Sequence, residues 1–189
     1  MRLQVKLSGF GGQGIILSGY IVGKAAALYD GKFATHTQSY GPEARGGACA
    51  AEVIISDDKP TDYPFVTDAD ILVTMSQEAF ETYKPLLQRN GTLIYDKDLV
   101  HIHDVPKTVK KHSIPATKIA ENLGNKIVAN VVMLGFFTRV TGAVSKNAMM
   151  RCIRESVPSR FLDLNMRAFE EGWRWHENSR RRRRKSGAA

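Results

Sequence analysis

A period-two run that breaks into glycines constrains this chain more than any other feature. Leu3, Val5 and Leu7 alternate with Arg2, Gln4 and Lys6, the pattern of a strand, and the chain then enters Gly9-Phe10-Gly11-Gly12-Gln13-Gly14. From Ile15 to Tyr29 the residues are mostly apolar or good helix formers, and Asp30-Gly31 reads as a stop. A strand, a tight glycine turn and a helix make a βα unit. Glycines suit such a turn because they adopt backbone angles closed to other residues and let N–H groups approach an anion.

Gly9, Gly11 and Gly14 match the dinucleotide-binding spacing. A nucleotide site also needs a carboxylate at the end of the second strand, about 20 residues on, to hold the ribose hydroxyls. The corresponding stretch is Ala34-Thr35-His36-Thr37, without an acid, and Asp30 precedes it. No lysine followed by Ser or Thr comes after the glycines, which excludes a Walker A loop. The turn by itself fits a ligand site and a purely structural connection about equally.

Further along, Phe33 to Thr37 reads as a strand, Gln38 to Gly47 as a loop, and Cys49 to Ile55 as another strand. Ile71 to Met75 reads as a buried strand, and Ser76 caps a helix from Gln77 to Gln88 that Asn90-Gly91 ends. Thr92 to Tyr95 returns as a strand. After Pro115 the pattern turns helical: Thr117 to Leu123, Lys126 to Thr138, Ser145 to Val157, and Phe161 to Glu177. The fold class expected is α/β: a Rossmann-like, largely parallel sheet with helices on both faces and a helical C-terminal extension. In the last helix Leu162, Met166, Phe169 and Trp173 recur at spacings of 4, 3 and 4, a stripe that packs within the chain or against a partner.

The net charge of +8 resembles a nucleic-acid signal until its position is considered. Arg180 to Lys185 is a run of six cations, and removing it leaves 8 − 6 = +2 for the body. The expected organisation is one domain over 1–178 and a basic, disordered tail over 179–189, with no nucleic-acid partner. Two cysteines, Cys49 and Cys152, stand far apart and outside any CxxC pair, so a disulfide framework, a zinc site and a cysteine-ligated cluster lack support. That usage fits a reducing cytoplasm. The N-terminus has no secretory h-region, and the most apolar stretch, Ile127 to Thr138, is shorter than the roughly 20 residues of a membrane span.

The most distinctive stretch is Thr37-Gln38-Ser39-Tyr40-Gly41-Pro42-Glu43-Ala44-Arg45-Gly46-Gly47, which joins an aromatic hydroxyl, a carboxylate, a guanidinium and three glycines. Pro42 stiffens the turn, and Arg45 offers a planar fork suited to carboxylate or phosphate. Taken together with the glycine turn, Ser39 to Gly47 resembles the gamma domain of 2-oxoacid:ferredoxin oxidoreductases, over roughly Leu3 to Arg154. The Tyr-Gly-Pro-Glu-Ala-Arg-Gly-Gly form looks most like the gamma subunits associated with 2-oxoglutarate.

The resemblance implies a reaction in which 2-oxoglutarate and coenzyme A give succinyl-CoA, carbon dioxide and reduced ferredoxin. It implies partners: alpha and beta subunits that hold thiamine diphosphate with Mg, and an iron–sulfur subunit of ferredoxin type. This chain has no Gly-Asp-Gly magnesium element and no cysteine cluster, so it is expected to bind no cofactor alone, to have no catalytic residue, and to be inactive by itself. Gly11, Gly12, Gln13, Gly14, Ser39, Tyr40, Gly41, Pro42, Glu43 and Arg45 are the residues expected at the inter-subunit region that substrate or coenzyme A approaches. The rival readings are a free-standing nucleotide- or flavin-binding oxidoreductase, and specificity for pyruvate or another 2-oxoacid.

His101 and His103 lack an evident third ligand and read as a solvated pair, and His36 reads as a structural histidine. Cys49 is expected to be buried in its strand.

Overall fold

The computed structural model describes residues 1–40, 47–61 and 63–186. A six-stranded sheet has the spatial order β2-β3-β1-β4-β5-β6. The strands are β1 (Arg2–Phe10), β2 (Phe33–Tyr40), β3 (Ala48–Ser56), β4 (Ala69–Thr74), β5 (Leu87–Asp96) and β6 (Lys110–Ile114). β1, β4, β5 and β6 pair in parallel, and β3 is antiparallel to both of its neighbours, β1 and β2. One strand therefore runs against the other five.

In an ordinary βαβ unit the second strand lies beside the first, but here β3 is inserted between β1 and β2. Burial explains the placement. All nine residues of β3 are buried, which requires strands on both sides, whereas β2 is only partly buried and takes the sheet edge.

Alternation in β1 sends Val5 and Leu7 into the larger core, under α1 (Ile15–Tyr29). The same core takes α3 (Ala116–Asn122), α4 (Ala129–Thr141), α5 (Lys146–Ser156) and α6 (Leu162–Ser186). The opposite face carries α2 (Gln77–Tyr83), whose Phe80 packs with Leu72, Leu93, Val100 and Val109. Helices thus lie on both faces, with the C-terminal helices gathered beside α1. Among the described residues, no helix is long and apolar enough to cross a membrane.

Three boundaries differ from the sequence pattern. α2 stops at Tyr83 because Pro85, in a short 3-10 turn, has no N–H to continue the helix, and β5 begins at Leu87 rather than at Thr92. β2 extends to Tyr40, three residues past Thr37. β6, Lys-Lys-His-Ser-Ile, is a polar edge strand with no period-two apolar signature. The stripe on α6 packs within the chain: Phe169 is fully buried, and Gly135 of α4 and Gly172 of α6 let the two backbones touch. The α6 backbone stays helical past residue 178, where the charge run suggests a boundary.

Candidate functional site

At the ends of β1 and β4 the chain leaves the sheet in opposite directions, into α1 on one face and α2 on the other. Parallel strands that part in this way open a crevice at their C-terminal edge, the usual ligand position in open α/β sheets. A cleft of about 600 Å³ lies there. Phe10, Gly11, Gly12 and Gln13 form one wall, Met75, Ser76 and Gln77 another, and Leu99, Thr117, Lys126, Ile127 and Ala129 complete it.

The glycine turn is held from inside. Gln13 Oε1 accepts from the Phe10 N–H at 2.7 Å, and its Nε2 donates to the Met75 carbonyl at 3.0 Å, so one amide ties the turn to the end of β4. A Cβ at Gly9 would stand 2.6 Å from Gln13 Oε1, which is why that position carries none. Gly14 precedes α1 with φ of 73°, and a Cβ there would meet Asn130 Nδ2 at 2.4 Å. Gly12, at φ of 98°, has nothing within 4 Å of a built Cβ, so this corner of the turn opens outward beside the cleft.

The opposite wall is built by polar caps. Ser76 Oγ accepts from the Ala79 N–H at the start of α2. Asp96, fully buried at the end of β5, accepts at one oxygen from the Thr117 N–H at 2.8 Å and from its hydroxyl at 2.7 Å, fixing the start of α3. The rim is apolar and exposed: Phe10 keeps 46% of its surface and Ile127 71%. Among the described residues that line it, Lys126 is the only cation, and they include no His, Cys, Asp or Glu. Carboxylates and thiolates are the groups that ligate Mg²⁺ or iron–sulfur clusters. The arrangement is suited to holding a ligand with an apolar body and an anionic group, near Lys126 and the positive ends of α1 and α4.

The sequence motifs converge in part. Phe10 pairs with Ala48, while Cys49 has Gly9 on one side and Tyr40 on the other. Tyr40 is therefore two strand spacings, roughly 10 Å, from the glycine turn along the same sheet edge. Gly11, Gly12 and Gln13 line the cleft, Gly14 follows them as the residue before α1, and Ser39 is close enough to Tyr83 of α2 to favour its ionised form. Gly41, Pro42, Glu43 and Arg45 lie outside the described residues. Sequence reasoning missed Lys126, Gln77, Asp96 and Asn130; a buried Asn in an otherwise apolar helix was the one available signal for Asn130.

Other ionisable groups have structural tasks. Burial raises the Cys49 thiol and, chiefly through burial, the Tyr83 hydroxyl. Burial lowers His36, whose Nε2 has no hydrogen-bond partner among the described residues. His103 binds Asp104 at 3.0 Å and Glu81 at 2.6 Å. Among the described residues no three His, Cys, Asp or Glu side chains gather as metal ligands.

Residues 4–175 match the family model for pyruvate ferredoxin/flavodoxin oxidoreductase. The chain belongs to this family. It is 51% identical over 175 residues to the 2-oxoglutarate synthase subunit KorC of Methanocaldococcus jannaschii, covering 92% of this chain and 93% of that one. The corresponding subunit of Methanothermobacter marburgensis is 49% identical over 178 residues, covering 91% and 95%. The crystal structure of the keto/oxoacid ferredoxin oxidoreductase gamma subunit from Geobacter sulfurreducens PCA superposes with a TM-score of 0.83 at 41% identity, over 92% of this chain and 95% of that one.

Proposed function

We propose that this chain is the gamma subunit of a 2-oxoglutarate:ferredoxin oxidoreductase, and that its cleft and second motif shape the region where coenzyme A or substrate meets the partner subunits. The reaction joins 2-oxoglutarate and coenzyme A into succinyl-CoA and carbon dioxide, and two electrons pass to ferredoxin. The observation that carries the reading is the 49–51% identity, end to end, to 2-oxoglutarate synthase subunits.

Thiamine diphosphate, with Mg, supplies the decarboxylation chemistry on the partner alpha and beta subunits, and iron–sulfur clusters are held on partner subunits, including one of ferredoxin type. What this chain contributes is positioning. Gln13 keeps the glycine turn against β4, Lys126 offers a cation beside the turn, and Phe10 and Ile127 present apolar surface at the rim. Arg45, which lies outside the described residues, is read from its motif as a second anion-binding group. The complex operates in the cytoplasm of an organism with anaerobic metabolism.

Purification of the chain at native expression level, under anaerobic conditions, tests the reading. Co-purified thiamine and iron–sulfur subunits with 2-oxoglutarate- and coenzyme A-dependent dye reduction support it; the same activity with pyruvate alone overturns the substrate. In that complex Arg45→Ala and Lys126→Ala each raise the Michaelis constant for an anionic substrate several-fold. Native constants in both variants overturn the assignment of the site.

A further inference from the structure

β2 is the sheet edge, and among the described residues no strand pairs with its outer side. Its eight residues, Phe-Ala-Thr-His-Thr-Gln-Ser-Tyr, contain neither charge nor proline. Those are the devices that keep an edge from pairing with another strand, and a regular edge without them is a template for one. The backbone groups on such an edge call for a strand specifically, since main-chain hydrogen bonds are what it offers.

We propose that the occupant is β2 of a second copy, paired antiparallel about a two-fold axis perpendicular to the sheet at His36. Antiparallel partners project to the same face, so the axis must pass through a residue and not between two. With His36 opposite His36, Thr35 faces Thr37, Ala34 faces Gln38, and Phe33 faces Ser39. No like charges meet, and the Thr35–Thr37 pair is a favourable cross-strand combination.

α1 points to the same axis independently. At 100° per residue, Ile16, Tyr20, Gly23 and Ala27 fall within an arc of about 60°. Ile21, Val22 and Ala25 turn into the core, and Lys24 and Tyr29 meet Glu155 of α5, so the Ile16 to Ala27 arc is the flank away from α5, toward β2. Antiparallel packing of this flank on itself sets Ile16 against Ala27 and carries Tyr20 across the helix backbone at Gly23, which is itself buried against His36 and Val53. The centre of that arrangement lies between Tyr20 and Gly23. His36 is directly beneath it: a Cβ at Gly19 would stand 2.9 Å from His36 Nε2, and one at Gly23 would stand 3.6 Å from His36 Cβ. Strand and helix thus share one centre of symmetry. α1 packs over β2 and β3, which puts the two α1 axes two to three strand widths apart, roughly 10 to 14 Å. Tyr20, 48% exposed, is the large side chain available to fill that gap.

The test is the mass of the full chain in solution, by light scattering or sedimentation. A dimer, twice 21.0 kDa, is expected. Tyr20→Asp returns it to a monomer with an unchanged circular dichroism spectrum, and Tyr20→Phe keeps the dimer. Under oxidation His36→Cys gives an interchain disulfide, because opposed residues on antiparallel strands have the required Cα separation; the native Cys49 and Cys152 are buried. A monomer at tens of micromolar with no His36→Cys cross-link, or a dimer indifferent to Tyr20→Asp, overturns the proposal. In the assembled complex, cross-linking of the His36→Cys variant to a different subunit assigns the edge to that subunit and overturns self-pairing. None of these outcomes depends on catalytic activity, so this inference and the proposed function fail separately.

Discussion

Asn130, in the first turn of α4, occupies the space that a side chain at Gly14 would need, and its Nδ2 donates to the Gly14 carbonyl at 3.3 Å. Two segments more than a hundred residues apart are thereby locked next to cleft-lining Gln13 and Ala129. The Gly14 oxygen also accepts from the Ser18 N–H and hydroxyl, so the carbonyl that opens α1 is held from two directions.

Gly14→Ala is expected to destabilise by about 1–3 kcal/mol, combining left-handed backbone strain with the Asn130 clash. Asn130→Ala is expected to cost about 1 kcal/mol, the scale of one net hydrogen bond. Because the second change makes room for the first, the double variant should lose less than the sum. Urea unfolding of the four proteins measures the coupling.

Lys6 and Glu52 form an ion pair on the α2 face, both almost fully buried, with the Lys6 ammonium 4.6 Å from the centre of the Tyr83 ring. Glu52 further accepts from the Val66 N–H at 3.0 Å and the Thr37 hydroxyl at 3.2 Å, tying the segment after β3 to the sheet. Lys6→Met leaves a buried carboxylate without its cation and should cost about 3–5 kcal/mol. Adding Glu52→Gln removes the uncompensated charge and keeps an acceptor, so the double variant should recover part of the loss in a thermal melt.

Two histidines respond to acid in opposite senses. Hydrogen bonds to Asp104 and then Glu81 raise the pKa of His103, so its contribution to stability is full below the unfolded value of about 6.5 and is lost as pH rises through the raised folded value. Burial lowers His36, so stability is full above about 6.5 and is lost as pH falls through the depressed folded value. Ring proton NMR should show His103 titrating above, and His36 below, the ordinary range. His103→Gln should abolish the loss on the alkaline side and leave the loss on the acid side.

Much of this was legible in the chain because local chemistry and global fold agree there. The alternation of Leu3, Val5 and Leu7, the glycines and the helix from Ile15 to Tyr29 specify the first βα unit, with the helix bounds met to the residue and the strand running on to Phe10, into the first glycines. The position of β3 was not legible: its pattern announces a buried strand, but which neighbours bury it depends on tertiary pairing. β6 escaped because Lys110 and Lys111 are exposed on an edge, where no apolar face is demanded. At the cleft, the turn was evident from its glycines. Lys126, Asp96 and Thr117 converge from separate elements, and no spacing in sequence encodes that meeting.

The contact between α4 and α6 supplies the last prediction. A Cβ on Gly135 would stand 2.0 Å from the Phe169 carbonyl oxygen, and one on Gly172 would stand 1.9 Å from the Val132 carbonyl oxygen. Both obstructions are backbone, which cannot rotate aside as a side chain would. Gly135→Ala and Gly172→Ala should therefore each force the helices apart and disturb the packing of Phe169, destabilising by about 1–3 kcal/mol or more even though alanine is the better helix former. If α6 were held only through its apolar stripe, both variants would gain stability from the helix propensity of alanine. Chemical unfolding of each variant, read by Trp173 and Trp175 fluorescence, decides between a backbone-to-backbone seam and a side-chain one.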